Sequence, residues 1–371
     1  MNGSVRMPGD KSISHRSLMF LALATGTGRI SGLLEGEDVI NTAKALRAMG
    51  ATVVREDDGT WVVTGRGVGG LVTPDGPIDF GNSGTGVRLM MGVIAGHDMT
   101  ATLVGDASLS RRPMKRILDP LRQMGLEIVG EARDTLPLTI RGSSSLVPIA
   151  YELPVPSAQV KSAVLIAGLL TPGETTVLER EPTRDHTERM LRYLGAEVRE
   201  ENRGSLTAIT VKGDAELVAR DIVVPGDPSS AAFAVAAALI VPGSDVTIEG
   251  VLVNPSRIGF YETIREMGAD VTFENARESG GEPIADVRVR SSALKGVTVP
   301  ADRAPSMIDE YPVLACVAAC AQGETRMQGL SELKVKESDR LAATAEGLAA
   351  CGVAAEVEGD TLIVRGSGPI A

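Results

Sequence analysis

The 371 residues are 43% hydrophobic and 23% charged, the balance of a globular protein rather than a disordered one, and the length suits two domains better than one core. A net charge of −11 with only 3% aromatic residues excludes a broad nucleic-acid surface, so anions must be met by local basic pockets. No run of roughly eighteen apolar residues could span a membrane, and the stretch from Met1 to Met7 lacks the apolar core of a signal peptide, so a cytoplasmic location is expected.

Taken in chain order, Pro8–Arg16 runs into the apolar helix SLMFLALATG, with Ser12 or Ser14 as its cap and with Lys11 and Arg16 bracketing its first turn. Two cations at the positive end of a helix dipole suit an anion better than they suit the helix. The phrase ALRAMGATVV follows, a helix closed by Gly50 and then a strand, and Thr60–Thr64 alternates as a second strand. Gly65–Gly70 matches a dinucleotide-binding glycine pattern, but LVTPDGPIDFG after it cannot open the helix that pattern requires. Gly81–Arg88 leads into the apolar run LMMGVIAG, and its glycines would let backbone N–H groups approach a ligand closely; no Lys-Ser/Thr pair makes it a nucleotide P-loop.

Ser110–Pro113, Pro154–Lys161 and Pro182–Glu188 are three further basic or hydroxyl-rich junctions ahead of helices, the last with Asp185 and Glu188 spaced as a capping box. Asp227-Pro228 reads as a cap followed by proline at the first helical position. Pro305–Glu310 opens the helix YPVLACVAAC, where Ser306 and Asp309 also have capping-box spacing, so Asp309 has a local role to weigh against a chemical one. Glu332–Arg340 is the sixth such junction. Cys316 and Cys320 lie on one face of that apolar helix and are expected to be buried. With Cys351 they are too few for a disulfide framework, and neither they nor the three histidines form a metal-ligand pattern.

The helix–Gly–strand phrase recurs at Gly50, Gly125, Gly195, Gly268 and, more loosely, Gly352, roughly every 75 residues. Three copies precede Val224–Asp227 and two follow it, which predicts domains of 10–223 and of 1–9 plus 224–371. A sixth copy would fall beyond Ala371. The second domain is therefore expected to be short by most of one unit, unless it is naturally lopsided.

Read together, PGDKSISHR, GNSGTGVR, GDASLSRRPM, PSAQVKSA, TRDHTERM, GDPSSAAF, PSMIDEYP and LKVKESDRL resemble the signature segments of the 3-phosphoshikimate 1-carboxyvinyltransferases, in order, from residue 8 to residue 341. The DKS, SAQ and IDEYP variants are most similar to the bacterial class II subgroup. The resemblance implies an α/β (α+β) fold: a two-domain inside-out α/β barrel, the enolpyruvyl transferase fold, with three β-α-β-α-β-β units per domain and helix N-termini pointing into a cleft. It implies transfer of enolpyruvate from phosphoenolpyruvate to the 5-hydroxyl of shikimate 3-phosphate, without a metal or organic cofactor, by a monomer that binds neither nucleic acid nor membrane. By the same resemblance, Lys11, Ser12, Arg16, Ser157, Ala158, Gln159, Arg184, Asp309 and Lys336 bind shikimate 3-phosphate. Lys11, Asn82, Gly84, Arg112, Gln159 and Arg340 bind phosphoenolpyruvate, and Asp309, Lys11, Lys336 and Glu337 are catalytic.

Ala158 replaces a serine common in the family and leaves only backbone contact there. Gly84 leaves room for the inhibitor glyphosate in the phosphoenolpyruvate site. The chain ends in GSGPIA before the family's Asp-His-Arg segment and a later lysine, so a truncated, inactive fragment or a non-catalytic binder of shikimate 3-phosphate is the alternative expectation. The sister transferase acting on a UDP-sugar usually carries a reactive cysteine in its N-terminal half; here no cysteine precedes Cys316.

Overall fold

A computed structural model describes residues 1–131 and 133–368; the last three residues of GSGPIA lie outside them. Two compact units emerge. One comprises Gly9–Val224 and Ser279–Gly281, and the other Met1–Pro8, Pro225–Glu278 and the chain from Glu282 onward.

Among the described residues there are five four-stranded sheets, all of one topology: a parallel edge strand, a central strand, then an antiparallel hairpin. In three of them the strands follow one another along the chain. Ile78–Asp79 lies parallel to Thr100–Val104, which pairs with Leu138–Arg141 and through it with Glu127–Ile128. Ala150–Glu152, Glu174–Glu179, Leu206–Lys212 and Val198–Arg203 repeat the order, as do Thr298–Val299, Gln322–Met327, Thr361–Ser367 and Ala354–Glu358. In the other two the edge strand comes from far away in sequence. Ile222–Val223 completes the sheet of Thr27–Ser31, Trp61–Thr64 and Thr52–Arg55, and Asn2–Arg6 pairs with Asp245–Glu249 of Asp245–Leu252. The first unit thus holds three sheets and the second two.

Ten helices are described: α1 (Lys11–Leu23), α2 (Glu37–Ala48), α3 (Gly84–Ala95), α4 (Lys115–Met124), α5 (Ala158–Leu169), α6 (His186–Tyr193), α7 (Pro228–Ile240), α8 (Gly259–Glu266), α9 (Tyr311–Ala319) and α10 (Arg340–Ala350). α1, α3 and α5 are apolar on nearly every face and are the buried helices of the three-sheet unit. α2, α4 and α6 keep a polar face to solvent. Leu18, Phe20, Met90, Leu165 and Val211 share one core, while Val235, Tyr261, Val287, Leu314 and Val364 belong to the separate core of the two-sheet unit. Each such side chain contributes about 1.5–3 kcal/mol by leaving water. α3 and α5 touch so closely that a Cβ on Gly92 would lie 2.4 Å from the Ala163 carbonyl oxygen, a contact only glycine permits.

The five repeat glycines do what the pattern asks: Gly50, Gly125, Gly195, Gly268 and Gly352 have φ of 91°, 119°, 101°, 99° and 80°, the left-handed turn from helix to strand. Gly65–Gly70 opens no helix.

Several local expectations are corrected. α1 is capped by Asp10, whose carboxylate accepts from Ile13 N at 2.8 Å, while Ser14 Oγ donates to the Asp10 carbonyl. Asp185 makes no side-chain cap on α6; it pairs with Arg189 at 2.7 Å, and Glu188 is buried. α9 begins at Tyr311 without a side-chain cap, so Asp309 does not close a capping box. Asp227 does cap α7, with Pro228 behind it. Cys320 is buried but Cys316 is exposed, because α9 turns that edge outward.

Candidate active site

The six basic junctions precede α1, α3, α4, α5, α6 and α10, so all of them end at helix N-termini. In the three-sheet unit, side chains tie four of these mouths together, those of α1, α3, α5 and α6. Gln159, in the first turn of α5, donates to Thr85 at 3.0 Å and accepts from Arg88 at 2.9 Å, both in α3. Arg16 of α1 is 3% exposed and donates to Ser162 of α5 and Thr187 of α6, each at 2.8 Å, and to the Ser12 carbonyl at 3.0 Å. Unpaired backbone N–H groups and partial positive charge are thereby concentrated at the starts of neighbouring helices.

Cationic side chains add to this field. Arg112 donates to Asn82 Oδ1 at 2.6 Å, and Asn82 in turn donates to Asp106 at 2.7 Å. A Cβ on Gly84 would lie 3.0 Å from Nη1 of Arg112 and 3.2 Å from Nη1 of Arg88, so two guanidinium groups converge over the start of α3. Burial, and then the like charges of Arg112 and Arg116, pull Arg88 down to about 10. It remains protonated at neutral pH, in a position that an anion would relieve. Ser157 Oγ caps α5 by accepting from Val160 N at 3.4 Å, which leaves its hydrogen available to a ligand oxygen, and Ala158 offers its backbone N–H. Lys11 pairs with Asp38 at the start of α2. Between Lys11 and Arg16, His15 is buried and bonded to Thr42 Oγ1 at 2.8 Å; burial, then those two cations, hold it down to about 3.

In the two-sheet unit a second constellation forms. Asp309 Oδ1 lies 3.4 Å from Lys336 Nζ and 3.3 Å from Arg340 Nη1, and Arg340 also pairs with Glu337. The turns that follow two 3₁₀ stretches, Ala301–Ser306 and Ser331–Val335, and the start of α10 bring these four residues together, with Asp339 capping α10 by accepting from Ala342 N at 3.0 Å. Each of the four is partly exposed, so the group is hydrogen-bonded yet open to a ligand. Behind it, Glu310 is 1% exposed and bonded to Ser229 at the start of α7. Arg257 donates to the same Ser229 at 2.9 Å and lies 3.6 Å from Glu310. This buried pairing anchors the segment that presents Asp309.

Comparison with known proteins now decides the lineage. The family model described as EPSP synthase (3-phosphoshikimate 1-carboxyvinyltransferase) matches residues 1–370. The chain belongs to the EPSP synthase family. A 3-phosphoshikimate 1-carboxyvinyltransferase of Paramagnetospirillum magneticum is 60% identical over 99% of this chain and 83% of its own length. One from Rhodospirillum rubrum is 58% identical over 100% of the chain and 83% of that relative. Among solved structures, EPSP synthase from Acinetobacter baumannii superposes with a TM-score of 0.90 at 47% identity, covering 99% of this chain and 82% of that one. The five sheets of one topology are accordingly those of the two-domain enolpyruvyl transferase fold.

Within that family fold, the residues singled out from sequence fall into two groups, one in each unit. Asn82, Gly84, Arg112 and Gln159 gather with Arg88, and Ser12 and Arg16 join them to α5 and α6. Asp309, Lys336, Glu337 and Arg340 form the other group. Sequence reasoning passed over Arg88, although it closes the GNSGTGVR segment. A lone arginine in an apolar helix, where burial is costly without a function, was the available signal. It also passed over Asp38, whose tie to Lys11 depends on α2 lying beside α1. Among the described residues no cluster of metal-ligating side chains occurs, and no helix is long and apolar enough to cross a membrane.

Proposed function

We infer that the chain uses these residues to transfer the enolpyruvyl group of phosphoenolpyruvate to the 5-hydroxyl of shikimate 3-phosphate, releasing inorganic phosphate. That transfer is the activity of its family, a step of the shikimate pathway toward chorismate and the aromatic amino acids. The observation that carries the residue assignment is Asp309. Free of the helix-cap role its spacing allowed, it is held instead between Lys336 and Arg340.

Residues 10–223, which make up most of the three-sheet unit, are the shikimate 3-phosphate-binding domain. Ser12 and Arg16 face the carboxylate. Ser157, the Ala158 N–H and Arg184 take the phosphate, and Gln159 lies between the two substrates. Lys11, Asn82, Gly84 and Arg112 receive phosphoenolpyruvate, and Arg340 is a further ligand of that substrate. Asp309 removes the hydroxyl proton, with Lys336 stabilising the developing alkoxide. Glu337 delivers a proton to C3 of phosphoenolpyruvate and recovers it when the tetrahedral ketal phosphate collapses. Such positioned proton transfers contribute about 10²–10⁴-fold each. The enzyme acts as a cytoplasmic monomer.

Phosphorus NMR of the chain mixed with both substrates tests this reading. Inorganic phosphate and an enolpyruvyl ether of shikimate 3-phosphate should appear together. Saturable binding of shikimate 3-phosphate with no product would favour a non-catalytic binder instead.

A further inference from the structure

Lys161, in the second turn of α5, is 1% exposed, and so placed it needs a reason to exist. Its ammonium lies 2.7 Å from Glu188 Oε1 and 3.3 Å from Glu179 Oε1, and it donates to the Thr183 carbonyl at 3.3 Å. Glu179 and Glu188 are buried as well, at 5% and 2% exposure. Two carboxylates thus share one ammonium away from water. Burial pushes Glu188 up despite Lys161, while the two acids outweigh burial at Lys161 and hold it charged. A trio of apolar residues would fill the same space at no desolvation cost, so stability alone does not account for the arrangement.

Its geometry converges on one loop. Thr183 is gripped at every polar atom: its N–H donates to Glu179 Oε1 at 3.4 Å, its hydroxyl to Glu179 Oε2 at 2.9 Å, and its carbonyl accepts from Lys161. Five residues on, Glu188 is held by the same ammonium. Beside it Thr187 accepts from Arg16 and donates to Ser162, the neighbour of Lys161, at 2.8 Å each. One side chain therefore holds both ends of the stretch 183–188, and Arg184 lies inside that stretch.

We propose that Lys161, Glu179 and Glu188 are positioning residues for Arg184 and that, through it, they set the enzyme's preference for phosphorylated over unphosphorylated shikimate. The proposal rests on Arg184 as the phosphate ligand. A loop held at both ends by buried charges delivers a guanidinium to a fixed point, and recognition of a tetrahedral phosphate is sensitive to displacements of about 1 Å.

The test is the ratio of dissociation constants for shikimate and shikimate 3-phosphate, measured by competition in the wild type and in Arg184→Ala, Lys161→Met, Glu179→Gln and Thr183→Val. Arg184→Ala should reduce the ratio about tenfold to a hundredfold, the scale of a charged hydrogen-bonding partner. Lys161→Met should reduce it about tenfold and Thr183→Val about threefold, with shikimate itself bound as in the wild type. Thr183→Val removes one hydrogen bond without stranding a charge, so it decides the matter should Lys161→Met fail to fold. If Arg184→Ala leaves the ratio intact, the phosphate-ligand reading falls and the proposal with it. If Arg184→Ala lowers the ratio but the other variants retain it, or weaken both ligands equally, the positioning role alone is overturned.

Discussion

Arg88 and Lys336 are both cations near helix mouths, one in each unit, yet they are held in different ways. Arg88 donates to two neutral carbonyl oxygens, those of the Gln159 side chain and the Pro113 backbone, and the nearest charges acting on it are those of two other arginines. Lys336 sits on a carboxylate, Asp309, which it shares with Arg340. A cation supported by neutral oxygens keeps its whole field for an incoming anion. A carboxylate wedged between cations is favoured in its ionised, proton-accepting form. On the proposed reading, the three-sheet unit supplies mainly anion-binding groups and the two-sheet unit supplies the groups that move protons.

The sharpest way to break that contrast is Asp309→Asn, which keeps shape and hydrogen bonding but removes the base. Turnover in steady-state kinetics should fall about 10²–10⁴-fold; unchanged turnover would remove Asp309 from the proton path. Next in size, Glu310→Ala should destabilise the two-sheet unit by about 3–5 kcal/mol, because it strips a partner from buried Arg257. Denaturant unfolding would register this, and a loss below about 1 kcal/mol would show that the pairing does not anchor the Asp309 segment.

Gly84→Ala sharpens the binding side. The new methyl would meet Arg112 Nη1 at 3.0 Å and Arg88 Nη1 at 3.2 Å, and both flexible heads must yield by a few tenths of an ångström. Phosphoenolpyruvate and glyphosate affinity should each drop about tenfold with the fold intact. Inhibition curves that ignore the substitution would place the anion elsewhere.

A pH-dependent effect concerns His15, held neutral down to about 3 by burial and then by Lys11 and Arg16. The unfolded chain protonates this ring near its ordinary 6.5 and the folded chain does not, so stability declines as pH falls from about 6.5 toward 3, by at most about 1.4 kcal/mol per pH unit. His15→Asn should flatten that decline in unfolding experiments. An unaltered slope would mean that the ring protonates in place.

How much of this was legible in the sequence depended on range. The helix–Gly–strand phrase is local, and each copy became one sheet with a left-handed glycine at the joint. Asn2–Arg6 carries no signal that it will pair with Asp245–Glu249, since an edge strand's partner is fixed by topology and not by its own alternation. Asp309 illustrates the limit best. Its spacing from Ser306 is that of a cap, and only the approach of residues 336 and 340 distinguishes an ion-pair site from a helix start. Lys161 and Glu188 likewise look like ordinary charges on helices until α5 and α6 are seen to bury them against each other.

Arg88→Gln and Lys336→Met, compared in steady-state kinetics, separate anion binding from proton transfer. The account predicts that Arg88→Gln raises KM for phosphoenolpyruvate about tenfold with kcat near wild type, whereas Lys336→Met lowers kcat about a hundredfold with KM little changed. Equal effects on kcat and KM in the two variants would contradict the division of labour between anion binding and proton transfer.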